Sequence, residues 1–249
     1  MTPQPQDIPR APVPPKPRFA APGKRQVRLR GWLVVAISLG IVFAAAAAYY
    51  LLRPLDAPIP EGAGAQYAGL EQGVTAQGFP RLGSPGAPVL VEDFSSFACP
   101  HCREFHEGQF VGLLDAIAAG EVQFVLVPVP HIGWGAREAA KAALCAGEQG
   151  QTWTMVDVLY DWQRRFLTST FDARRVRKGA EALGLDMTAF DACRRGSAVQ
   201  DVLDRARAEF DRRGLSGTPS FFINGQKVQD YREFETLGAD YHSAEAPSS

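Results

Sequence analysis

Cysteine is scarce in this chain: there are four in 249 residues, at positions 99, 102, 145 and 193. That density excludes a small scaffold held together by disulfides in place of a core. Beyond the first 30 residues positive charge is also short, with 19 Lys and Arg against 26 Asp and Glu, a net charge of −7. A basic nucleic-acid-binding surface on the folded part is therefore excluded. No internal repeat recurs at a useful period, which removes solenoids and propellers. The hydrophobic share of 46% is that of an ordinary globular chain, so wholesale disorder, collagen and a multi-span transporter do not fit.

The first 30 residues hold eight Pro and seven Lys or Arg but one acid, Asp7. Such a segment cannot bury a core and reads as a disordered basic tail. Gly31 to Leu52 then runs for 22 positions without a charge. As a helix it would reach roughly 33 Å, enough to span a hydrocarbon core. Trp32 at one end and Tyr49 and Tyr50 at the other suit the two interfaces. Lys24, Arg25, Arg28 and Arg30 precede the run and only Arg53 follows closely, which places the amino terminus in the cytoplasm and the remainder outside it. A cleavable signal peptide is the competing reading, because Ala44 to Ala48 offers small-residue cleavage sites. The length of the run and of the preceding tail favours an uncleaved anchor. On either reading the remainder is exported. The Gly-, Pro- and Ala-rich stretch 53–84 has weak periodicity and reads as a linker, with one domain over 85–241 and a disordered tail over 242–249.

Within that domain PVLVEDFSSF, from Pro88, is an apolar run suited to a buried strand. A helical segment with Phe110, Leu113, Leu114 and Ile117 on one face follows, ended by Gly120, and then a second buried strand over Glu121 to Val129. The crossover length implies a parallel pair. Helices are expected over Ala136 to Ala146 and Thr152 to Phe166. A further one should be capped by Asp172 and stopped by Gly184, a short one capped by Asp186, and another carried by the stripe Val199, Val202, Leu203, Ala206 and Phe210. PSFFING restores the strand signal, with Asn224 and Gly225 as a hairpin turn. Tyr231 to Tyr241 reads as a closing helix.

The sharpest chemical feature is Cys99, Pro100, His101, Cys102 at a strand-to-helix junction. Two thiols separated by two residues on a first helical turn can close into a disulfide with little movement. The first lies at the positive end of the helix dipole, among unpaired N–H groups that can hydrogen-bond a thiolate. Its pKa should fall well below the free-cysteine value, with His101 adding to the effect when protonated or as a donor. Half of a zinc site is the structural alternative, but Cys145 and Cys193 sit singly with no CxxC or HxxxH partner nearby. No cofactor is expected.

PVLVEDFSSFACPHCREF together with GLSGTPSFFINGQ resembles the DsbA-like branch of the thioredoxin fold, over about Gly83 to Tyr241. The resemblance implies an α/β thioredoxin fold with an inserted α-helical domain, here about 135–213, preceded by one N-terminal transmembrane helix. It implies that Pro219, preceded by Thr218, is cis and faces the CPHC motif, exposing a backbone edge to an extended substrate. Asp93 stands where family members often hold a partly buried acid that assists proton transfer near the second Cys. Glu92 competes if the strand register differs by one, and an exposed surface carboxylate is the alternative. Relatives carry a second cysteine pair in similar contexts, which suggests a structural Cys145–Cys193 bridge against the alternative of two free thiols. His131 and Trp134 read as packing residues.

The resemblance thus implies a thiol:disulfide oxidoreductase of a bacterial cell membrane, acting on reduced exported proteins. A quinone-coupled membrane partner of the DsbB or VKOR type would reoxidise it. A reductase or isomerase is the rival, because Thr218 is shared with several of them, and a non-catalytic binding or chaperone-like module is a rival from another class.

Overall fold

The computed structural model describes residues 24–52, 55–166 and 170–228. The chain divides into two compact units, Met1–Pro54 and Leu55–Ser249. In the first, helix α1 covers Lys24–Leu52, so helix begins before the apolar run rather than at its edge. Gly31–Leu52 has a mean hydropathy of 2.2 and is long and apolar enough to cross a membrane. Of the tail expected to be disordered over residues 1–30, residues 24–30 are helical, continuous with the apolar run; residues 1–23, the closing helix expected over Tyr231–Tyr241 and the tail over 242–249 lie outside the described residues.

The second unit is built on a six-stranded sheet in the order β1-β2-β4-β3-β5-β6. Strand β3, Val89–Ser95, pairs in parallel with β4, Val122–Pro128, in the register Val89 to Val122. The crossover between them contains α2, Pro100–Glu107, and α3, Gln109–Ala118. β5, Ser220–Ile223, returns antiparallel beside β3, and β6, Gln226–Lys227, closes the hairpin. Asn224 and Gly225 both have positive φ, 48° and 81°, as a two-residue hairpin turn requires. The Asn224 amide also fixes the hairpin to β3: Leu90 N–H donates to its Oδ1 at 2.8 Å, and its own N–H donates to the Leu90 carbonyl at 2.9 Å.

Between β4 and β5 come five helices: α4 (Ala136–Gly147), α5 (Thr152–Arg165), α6 (Ala173–Ala182), α7 (Met187–Arg195) and α8 (Ser197–Arg212). Two of their starts are set by side chains. Asp172 accepts from Arg174 N–H, and Asp186 accepts from Thr188 and Ala189 N–H, satisfying donors that helix geometry leaves unpaired. Alternation along β3 separates two cores. Val91 shares one with Cys99, Cys102, Phe105 and the insertion residues Trp153, Leu159 and Trp162. Phe94 shares the other with Val125, Val127, Phe210 and Phe222.

The stretch expected as a linker is not one. From Leu55 onward it is part of the second unit, with β1 over Gln72–Val74 and β2 over Pro80–Leu82, and β2 pairs antiparallel with β4. Tyr67, Phe79 and Leu82 are buried. Strands of three residues are too short to show an alternation, which is why their pattern read as a tether. Gly83 follows β2 at φ 83°, where an added Cβ would run into the Val122 carbonyl.

Candidate active site

Cys99 is the N-cap of α2 and Pro100 its first helical residue, where a missing N–H costs nothing. Both thiols are reduced. Their surroundings differ: Cys99 retains 9% exposure and Cys102 retains 0%, so a partner can reach the first sulfur only. Cys99 Sγ donates to the Thr218 carbonyl at 3.1 Å. The Thr218–Pro219 bond is cis. The buried Thr218 hydroxyl has no hydrogen-bond partner among the described residues, which leaves it free to turn toward a thiolate.

These contacts set the acidity of the pair. The Cys99 pKa is lowered to about 5, first by the Cys102 thiol donating to its sulfur, then by the Thr218 side chain and the backbone N–H groups of Cys102 and His101, against partial burial that raises it. Cys102 moves the opposite way, far above the usual thiol range, because burial disfavours its anion and its proton is held by Cys99. Ser96 N–H is 3.4 Å from the Cys102 sulfur. One thiol is a largely buried but still reachable anion at neutral pH and the other a fully buried neutral donor.

Asp93 lies on the CPHC side of β3, buried, with its Oδ1 accepting from Ser95 Oγ at 2.5 Å. Burial pushes its pKa up to about 7, with the Ser95 bond opposing and the Cys99 charge adding. Glu92, one residue away, points to the other face. There Arg213 donates to both of its oxygens, at 2.9 and 2.8 Å, so it is an ion-pair partner rather than a site acid. His101 departs from expectation in one respect. Its exposed ring bonds Glu104, 3.1 Å from Nδ1 to Oε2, and it reaches Cys99 through its backbone N–H.

Three contributions were not read from the sequence. Gln163 of α5 donates to the Phe97 carbonyl at 2.5 Å and to the Cys99 carbonyl at 3.0 Å. Arg103 of α2 holds the amide in place, its Nε donating to Gln163 Oε1 at 3.1 Å. Ser96 Oγ donates to the Ile132 carbonyl at 2.6 Å and accepts from Ala98 N–H at 3.2 Å, pinning the loop before Cys99. A signal existed for Gln163. It continues the helical spacing of Val156 and Tyr160, so it is a polar residue on a stripe that is otherwise buried.

Away from this site Cys145 of α4 and Cys193 of α7 are joined, with Cα atoms 5.7 Å apart. His131 packs its ring edge-on against Phe210, 5.1 Å between centroids, whereas Trp134 is 89% exposed and is not a packing residue. Among the described residues no group of three or more His, Cys, Asp or Glu side chains could hold a metal ion.

The profile describing the thioredoxin family matches residues 75–239. The chain is 34% identical over 163 residues to the Na(+)/H(+) antiporter NhaA 3 of Salinispora tropica, covering 64% of this chain and 23% of that protein. It is 24% identical over 171 residues to disulfide bond formation protein D of Bacillus subtilis, covering 65% of this chain and 74% of that one. The chain therefore spans under a quarter of the antiporter and about three quarters of protein D. Among solved structures it is similar to a thioredoxin-like oxidoreductase from Silicibacter pomeroyi DSS-3, with a TM-score of 0.52, 26% identity, and 69% of this chain and 94% of that chain covered.

Proposed function

The chain belongs to the thioredoxin family, on its DsbA-like branch, and from that premise we propose that it is a thiol:disulfide oxidoreductase that passes the Cys99–Cys102 disulfide to reduced exported proteins. The observation that carries this reading is the inequality of the two thiols, one accessible and acidic, the other buried and protonated.

The chemistry follows from that inequality. In the oxidised protein a substrate thiolate attacks the Cys99 sulfur, the only one within reach. A substrate–Cys99 bond forms, the Cys99–Cys102 bond breaks, and Cys102 departs as an anion. A buried anion there is costly, and Asp93, with a pKa near 7 beside it, supports the role of proton donor to that sulfur. The second substrate thiolate then attacks the substrate sulfur of the mixed disulfide, and Cys99 leaves. A leaving thiolate of low pKa departs faster. The substrate loses two electrons and two protons. The electrons reside in the dithiol, one proton on Cys102, the other in solvent. A quinone-coupled membrane partner of the DsbB or VKOR type would take the electron pair away.

Direction follows from the same asymmetry. Holding Cys99 as a thiolate stabilises the dithiol over the disulfide, and each unit by which its pKa falls below ambient pH makes a two-electron couple about 30 mV more oxidising. That favours an oxidase over the reductase or isomerase that Thr218 would also suit. The apolar run Gly31–Leu52 of α1 supports tethering to a membrane, and the four positive charges over 24–30 that precede the run support an inward amino terminus.

Equilibration of the full-length protein with reduced and oxidised glutathione, read by alkylation of Cys99, tests the reading. A potential tens of millivolts above that of thioredoxin is expected; a value at or below it would reverse the direction. Cys102→Ala, first converted to its Cys99–glutathione mixed disulfide, should give a lasting Cys99–substrate disulfide with a one-cysteine substrate, glutathione leaving as the thiol. Activity toward reduced, unfolded protein that persists in Cys99→Ser would instead indicate a binding module.

A further inference from the structure

A groove of about 510 Å3 runs along α2 beside the nucleophile, lined by His101, Glu104, Phe105, Gly108, Gln109 and Pro219. Its position follows from the site: His101 is two residues after Cys99, and Pro219 follows the Thr218 carbonyl that holds the Cys99 thiol. An extended substrate whose cysteine reaches Cys99 therefore lays a neighbouring side chain along this groove, since successive residues advance about 3.3 Å.

The lining has two parts. Pro219, with the edge of the largely buried Phe105, gives the apolar part. Glu104 gives the only carboxylate among the described lining residues, and its side chain is 61% exposed. One of its oxygens, Oε2, is bonded to His101 Nδ1, and the other makes no hydrogen bond among the described residues. The one Lys or Arg of α2, Arg103, is committed to Gln163 and Glu107 and does not pair with Glu104. Apolar walls with a single carboxylate at the rim match a side chain that has a long aliphatic stem and a cationic tip.

We propose that Glu104 makes this groove selective for substrate segments carrying Lys or Arg next to the reacting cysteine. The stem lies on Phe105 and Pro219 and the cation meets the free Glu104 oxygen. This deepens the oxidoreductase reading above and rests on it.

The test compares peptides that each hold two cysteines and differ only in having Lys, Leu or Glu beside the first. Each is oxidised by the full-length disulfide-form protein in detergent micelles. Each rate is divided by that of the same peptide with 2-hydroxyethyl disulfide, which is uncharged, so that the effect of a flanking charge on the thiol itself cancels. The Lys peptide should exceed the Leu peptide about threefold and the Glu peptide about tenfold, as for a half-exposed ion pair. The ratios should collapse to about one in Glu104→Gln and invert in Glu104→Lys. Equal normalised rates in the wild type, or a Lys preference that survives in Glu104→Gln, overturn the assignment while oxidation itself stands. Failure to oxidise any of the peptides overturns the oxidoreductase reading, and this inference with it.

Discussion

Two buried acids of opposite sign govern how the dithiol protein responds to pH. Asp93 has a pKa raised to about 7, so between about pH 4 and pH 7 the folded chain keeps a proton that the unfolded carboxyl has lost. Its contribution is intact below about pH 4 and is lost as pH rises through about 7. Cys99, lowered to about 5, behaves in reverse: its contribution is present above about pH 9, the ordinary thiol range, and disappears as pH falls through about 5. Asp93→Asn keeps an acceptor for Ser95 and removes the ionisation. Denaturant unfolding of the reduced variant should show a gain on the order of 2–4 kcal/mol over wild type at pH 8 and little at pH 4. An equal difference at both pH values would mean that Asp93 ionises normally. Thiolate absorbance should titrate with a midpoint near 5 for Cys99. In Cys102→Ala that midpoint should rise, because the foremost cause of the lowering is the Cys102 thiol.

At the scale of elements, helix α5 does more for the site than its sequence suggests. Its apolar stripe was legible, and so were the five helices, the parallel β3–β4 pair and the Asn224–Gly225 turn, because each is written in local periodicity or in a residue with a special backbone. Gln163 was harder to read: which carbonyl a buried amide meets is decided by a segment 60 or more residues away. Gln163→Ala should cost about 1–3 kcal/mol in denaturant unfolding, since the Phe97 and Cys99 carbonyls lose a donor. Gln163→Glu should not rescue it, because a carboxylate offers no N–H. The insertion is further held by the Cys145–Cys193 bridge between α4 and α7, which closes a sequence separation of 48. Replacing both cysteines by Ser should lower stability by roughly 2–4 kcal/mol through the freed unfolded chain. The Cys99 titration should stay where it is, as neither sulfur touches the CPHC turn.

Across the whole second unit, the segment Leu55 to Gly83 is the part least visible in sequence, and it ties together α2, α5, α6 and β4. Tyr67 is buried against Trp153 and Phe110, and its hydroxyl donates to Asp157 of α5 at 2.7 Å. Asp157 also meets His106 of α2 at 2.8 Å and accepts from Gly64 N–H at 2.9 Å, so one carboxylate ties the segment to both the CPHC helix and the insertion. Nearer its start, Trp162 Nε1 and Arg175 Nε donate to the Pro58 and Asp56 carbonyls, each at 2.7 Å. Strand β2 covers the edge of β4, which would otherwise offer unpaired backbone to another chain. A tether could be cut anywhere along its length, and this segment should not tolerate that. A chain beginning at Leu55 should fold, melt with the same midpoint as the full-length protein in micelles and retain the acidic Cys99 titration. A chain beginning at Gly83 loses Tyr67, Phe79 and Leu82 from the core, at about 1.5–3 kcal/mol each, together with the β4 edge cover. It should aggregate or melt without cooperativity by circular dichroism. Equal melting of the two truncated chains would return residues 55–82 to the status of a linker.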